Sequence, residues 1–196
     1  SCDVTADDCL QFALDYPVAG LNFDCSSDKI NHFATKLDGN VVTGACKLGD
    51  EVSFYIQGES NARKVSLGTV KLDNISKIKL ATPPRIRLID IATALTGKPA
   101  ASLNQGDDTV RATMALVKIL QGIGLKSADN VIGDIQPTEL TIEEKDKLAE
   151  ISKDIGASEI LSGQYVEVLK PWVDVTQISN DQAFLMVTQL LNLTNT

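Results

Sequence analysis

Several things this sequence has little of narrow what it can be. Basic residues are outnumbered 18 to 26, giving a net charge of −8 and a pI near 4.6. A positive face of the kind that neutralises phosphates is not evident, so nucleic-acid binding is not expected. No stretch approaches the ~18 consecutive apolar residues of a spanning helix, so no transmembrane segment is expected. There is one histidine, His32, in 196 residues. A Ser-His-Asp triad would have to use it, yet no Gly-x-Ser-x-Gly elbow supplies a nucleophile. No second histidine can join it on a metal. Neither G-x-G-x-x-G nor a glycine-rich loop ending in Lys-Ser/Thr occurs, so no phosphate cradle is indicated. The expectation is a protein that is not an enzyme and carries no cofactor or metal. Aromatics make up only 5% of the chain, which disfavours an aromatic sugar platform. The lone Trp172, beside Pro171, reads as a packing anchor before anything else.

Cysteine is absent from the last 150 residues: Cys2, Cys9, Cys25 and Cys46 all lie in the first 46. Four cysteines allow three pairings, and spacing alone does not choose among them. Cys25 and Cys46 each close an apolar, strand-like run, so a bridge between those strand ends is the preferred one. Cys2–Cys9 is then its companion, tying down the terminus. A four-thiolate zinc site lacks its Cys-x-x-Cys pairs. Disulfides imply an oxidising compartment. The chain begins Ser1-Cys2-Asp3 rather than with Met, as a processed or truncated chain would, and Cys2 after a small residue is also a candidate lipid-attachment site.

What is present is a globular composition, 43% hydrophobic and 22% charged. Residues 14 to 80 read as short strands with turn punctuation. Phe33, Thr35 and Leu37 alternate up to Asp38-Gly39, a hairpin signal because both residues tolerate positive φ. Val41 to Cys46 is the expected return strand. Gly49-Asp50 turns the chain into Val52, Phe54 and Ile56 on one face. A polar loop, Gly58 to Lys64, precedes a strand from Val65 to Leu72. Pro83-Pro84 marks a change of regime. After it the period moves toward 3.6: a helix within Ile86 to Leu95, and another capped by Asp107 or Asp108 and ended by Gly122 and Gly124. Thr141 and Glu144 make a capping box ahead of Leu148, Ile151 and Ile155 on one stripe, with Gly156 as the helix stop. Ser179 and Gln182 make a second box. Tyr165 to Val175 reads as strand or loop. The expected fold class is α+β: an N-terminal antiparallel β-sandwich-like module, residues 1–82, followed by a mainly α-helical part, residues 83–196. Whether these are two domains or one continuous core stays open.

The exposed polar loops Asp28-Lys29-Ile30-Asn31-His32 and Gly58 to Lys64 are the best candidates for partner contact, with Asp28, Lys29, His32, Arg63 and Lys64 as the residues to test. Asp129, Asn130 and Asp134 could offer oxygen ligands to calcium, but the spacing is not that of an EF-hand and a plain turn is preferred. Asn74-Ile75-Ser76 and Asn192-Leu193-Thr194 match glycosylation triplets that are common by chance.

The run Pro17-Val18-Ala19-Gly20-Leu21-Asn22-Phe23-Asp24-Cys25, then Gly44 through Gly58, then Ser66-Leu67-Gly68, resembles a scaffold of the form V-x-G-L-x-Y/F-x-C followed by G-x-F-x-C/Y-x-x-G-x-x-V-x-F-x-I. It is similar to the FilF-like pilus-assembly proteins, Gram-negative surface lipoproteins with an adhesin-type β module. A leucine-rich helical segment follows there, as Ala115 to Gln121 does here. The likeness covers roughly residues 14 to 135 and rests on structural motifs. The resemblance implies a cell-surface, outer-membrane or periplasmic module, with a lipid anchor upstream of this chain. Its implied work is pilus assembly or adhesion through other pilus or outer-membrane proteins, or a host surface. It transfers no binding residue. The alternative is an envelope small-ligand or carbohydrate-binding protein, with its pocket near Trp172 or Tyr165.

Overall fold

A computed structural model describes residues 2–60, 63–73, 82–126 and 131–194. The fold is α+β, with sheets built from strands between residues 9 and 86 and six α-helices after them. One four-stranded sheet has the order β5 (Lys36–Asp38), β6 (Val41–Lys47), β1 (Cys9–Leu14), β9 (Arg85–Ile86). The other has the order β4 (Phe33–Ala34), β3 (Asn22–Cys25), β7 (Glu51–Ile56), β8 (Val65–Lys71). Pairing in both is antiparallel except where the two-residue β9 adds parallel to β1. A second short parallel pair joins β2 (Val18–Ala19) to β10 (Thr138–Glu139).

The two sheets face one another across aromatic side chains. Phe12 of the first sheet meets Phe23 and Phe54 of the second edge-on, at centroid distances of 5.3 and 5.7 Å. Such edge-to-face contacts contribute about 0.5–1.5 kcal/mol beyond burial. Gly44 on β6 makes room for them, since a Cβ there would stand 2.6 Å from Phe12 and 2.8 Å from Phe23. The disulfide Cys25–Cys46 joins β3 to β6 and so staples sheet to sheet. Cys2–Cys9 fastens the N-terminal segment to the start of β1. No thiol is left free. Two bridges in one chain are the cysteine usage of an oxidising, extracytoplasmic setting.

Helix α1 (Leu88–Thr96) lies against β8 and against α2 (Asp108–Leu125). The contact with β8 is close at Gly68, where a Cβ would come within 2.3 Å of the Ile91 carbonyl oxygen. Helix α2 is buried along almost its whole length and is capped by Asp107, whose side chain accepts from the Thr109 and Val110 amides. Gly122 and Gly124 do not end it, because Val173 packs where a Gly122 Cβ would be, and this packing offsets glycine's poor helix propensity. Helix α3 (Ile142–Asp146) starts at the Thr141 cap but stops after five residues, giving way to a 3-10 turn, Lys147–Glu150. The expected stripe to Ile155 is broken because Ile155 pairs with β8: its amide donates to the Lys64 carbonyl and its carbonyl accepts from Ser66. Gly156 accordingly begins α4 (Ala157–Ser162) rather than ending a helix. Tyr165–Leu169 is helix α5, neither strand nor loop, and a 3-10 turn Val175–Gln177 leads to α6 (Asn180–Thr194). Ser179 and Gln182 form the expected reciprocal cap at the start of α6. A single cluster of buried side chains runs from Leu10 in β1 to Leu190 in α6, across position 82. Among the described residues no helix is long and apolar enough to cross a membrane.

Candidate functional site: a groove beside an open sheet edge

Strands β4 and β5 are one extended run that leaves one sheet and joins the other. Thr35 is the crossing point, 2% exposed. Its hydroxyl donates to the Val18 carbonyl at 2.7 Å and accepts from the Leu21 amide at 3.0 Å. Its own amide donates to the Leu21 carbonyl, and its carbonyl accepts from Gly20. A strand's backbone groups alternate sides, so the Thr35 groups face the Gly20–Leu21 segment that follows β2 and those of Lys36 face β6. The N–H and C=O of Leu37 then point away from β6. The pairing of Asp38 with Val41 around Gly39 (φ 63°) agrees, because a two-residue hairpin closes on a hydrogen-bonded pair. Leu37 itself is 53% exposed. It forms an open edge.

The facing wall is Pro137 to Glu143. Thr138 and Leu140 donate their amides to the Pro17 and Ala19 carbonyls, which turns the Glu139 amide away from β2. The walls meet at Gly20 (φ 86°), where a Cβ would lie 2.2 Å from the Leu140 carbonyl oxygen, so only glycine fits. Lys145, nearly buried, donates to the Gly20 carbonyl at 3.0 Å, and desolvation lowers its pKa. Between the walls lies a groove of about 1270 Å³.

One end of the groove holds a polar cluster. Asp24 accepts from the Tyr55 hydroxyl at 2.7 Å and pairs with His32 Nδ1 at 2.7 Å. Burial, and then the hydrogen bond to Asp24, push the Tyr55 phenol above its ordinary pKa, which makes it a poor nucleophile and a firm donor. Lys64 Nζ sits 4.4 Å from the centre of the Tyr55 ring. His32 and Lys64, named from separate loops, thus meet over one tyrosine. The other candidates disperse. Asp28 organises its own turn, its carboxylate accepting from the Ile30 and Asn31 amides, which hold its pKa down at about 2. Lys29 lines a separate hollow beside Cys25–Cys46. Arg63 turns toward the helical part, its Nε donating to the Ile151 carbonyl at 3.3 Å. Leu37, Tyr55 and Glu139 were missed in the sequence reading. The signal was there for Leu37, in the buried Thr35 inside an alternating run.

Other candidates take definite places. Cys25, Cys46 and Asp50 lie together, but both sulfurs are spent in the bridge and Asp50 accepts from Ser26, Ser27 and Lys47. Asp129 and Asn130 of the calcium expectation lie outside the described residues, as does Asn74-Ile75-Ser76. Trp172 is buried, donates Nε1–H to the Glu144 carbonyl at 2.8 Å, and carries Lys126 over its ring. It packs; it offers no platform.

Fold and site define a disulfide-stapled, extracytoplasmic α+β protein with a groove at an open sheet edge. No family model, no curated protein and no solved structure matches the chain.

Proposed function

We propose that this chain is a non-enzymatic module of the Gram-negative cell envelope, at the cell surface, outer membrane or periplasm. It takes part in pilus assembly or adhesion through protein–protein contacts. An extended segment of a partner, another pilus or outer-membrane protein, lies in the groove and adds as a strand beside β5. The observation that carries this reading is the open edge at Leu37 facing a groove of about 1270 Å³. Strand addition supplies backbone hydrogen bonds for affinity, while side-chain hollows select the sequence. The Asp24–His32–Tyr55 cluster at the groove's end adds polar selectivity.

The test is retention of envelope proteins on the immobilised chain. Leu37→Pro deletes the outward N–H and leaves the neighbouring bonds to β6 intact, so it should abolish retention of the pilus or outer-membrane partner without unfolding the protein. Loss instead in the paired variants Asp28→Ser with Lys29→Ser, or Arg63→Ser with Lys64→Ser, moves the interface to the loops. A second reading, an envelope small-ligand or carbohydrate-binding protein, draws on Tyr165, which lines a separate cleft in the helical part.

A further inference from the structure

A cleft of about 570 Å³ lies between α2 and the α4–α5 turn, with Asn180 of α6 at one end. That volume is within the range of small-ligand pockets, about 300–1,000 Å³. In a chain of net charge −8, the cleft gathers Lys98, Arg111 and Lys118 against the single carboxylate of Asp108. Two of these cations are already engaged: Lys98 pairs with Asp108 at 3.0 Å, and Lys118 donates to the Asn180 side-chain oxygen. Among the described residues the Arg111 guanidinium has neither an ion pair nor a hydrogen bond.

Tyr165 is the second observation. It is 5% exposed, yet among the described residues its hydroxyl has no hydrogen-bond partner. Buried polar groups are almost always paired. Every fully buried side-chain polar atom among the described residues does have a partner. The little exposure Tyr165 has therefore includes its hydroxyl, and Tyr165 is one of the residues that line the cleft. A free guanidinium and an unpartnered phenol thus share one wall-to-wall space. Desolvation lowers the pKa of Lys118, so an anion seated nearby would restore what burial takes from its charge.

The lining selects among anions. A guanidinium's planar fork suits a carboxylate. The Asp108 carboxylate, paired on one side with Lys98, can accept from a ligand's hydroxyl donors, which phosphate supplies poorly at neutral pH, and Ser162 and Asn180 offer further polar groups. We propose that this cleft binds a small acidic sugar, with Arg111 taking its carboxylate and the Tyr165 hydroxyl bonding an adjacent oxygen. The site is separate from the groove at β5 and stands or falls independently of it.

Titration calorimetry on the full chain with sodium glucuronate and sodium galacturonate tests this, with glucose, glucuronate methyl ester and inorganic phosphate as comparisons. At least one uronate should saturate, and the neutral compounds and phosphate should bind at least about tenfold more weakly. Arg111→Gln should weaken uronate binding about 10–100-fold, as expected for a hydrogen bond to a charged group. Tyr165→Phe should weaken it several-fold while melting like the parent. No saturation by either uronate, phosphate binding as tightly, or unchanged affinity in Arg111→Gln would each overturn the proposal.

Discussion

The sandwich and the helical part bury their apolar surface by different means. In the sandwich, Phe12, Phe23 and Phe54 interlock between two sheets that a disulfide also joins. The helical part has no cysteine, and three of its helices, α3, α4 and α5, are five or six residues long. Helices that short are not stable in water by themselves. They are held by what they touch: Ile155 pairs with β8, Lys64 donates to Asp154, and Lys145 reaches Gly20. The sandwich carries its own constraints, while the helical part borrows them, and the shared cluster of buried side chains is the means.

The strongest way to break that comparison is Phe12→Ala. Phe12 is fully buried at the centre of the sandwich, and its loss should cost about 3–5 kcal/mol in urea unfolding. Trp172 fluorescence, reporting from the helical part, should shift to the same midpoint as far-UV circular dichroism. Two separate transitions would mean the helices do not depend on the sheets. Next is the staple: Cys25→Ser with Cys46→Ser should lose about 3 kcal/mol, and Cys2→Ser with Cys9→Ser about 2, because the second loop is shorter. Denaturant midpoints of the two double variants check the order.

Asp15 sharpens the comparison at the seam. It directly follows β1, is 8% exposed, and accepts the Leu88 amide at the start of α1. Burial raises its pKa to about 7 from 3.8. The folded state therefore binds the proton more tightly than the unfolded one, and this group's contribution to stability is full below about pH 4. It is lost as pH rises toward 7, at a slope of up to about 1.4 kcal/mol per pH unit. Asp15→Asn should flatten that slope and be the more stable protein near pH 8, as urea unfolding at several pH values would record. The smallest effect is Thr141→Ala, which removes the cap that accepts the Glu144 amide and should cost about 1 kcal/mol by the same assay.

This division also explains what the residues alone disclosed. Period-two runs, Asp38-Gly39 and cysteines at strand ends are local signals. They marked the strands from β3 to β8 and their hairpin, and made Cys25–Cys46 with Cys2–Cys9 the preferred pairing of three. Strands β1, β9 and β10, which lie outside the strands read from the sequence, exist through their tertiary partners. The helix starts at Asp107, Thr141 and Ser179 were equally local. Where helices stop was not: Gly122 stays helical because Val173 fills its empty side, and Ile155 leaves the helix for β8. The groove was half legible. His32 and Lys64 were named, but their meeting over Tyr55, and the wall supplied by Glu139 from about a hundred residues later, are tertiary facts.

The central claim is that a partner strand adds at β5. Amide hydrogen exchange on the chain, with and without a retained envelope protein purified to homogeneity, reads it residue by residue. The account predicts that the Leu37 N–H, open to solvent in the free chain, becomes protected at least about tenfold in the complex. Unchanged exchange at Leu37, with protection appearing at 28–32 or 63–64 instead, would contradict it.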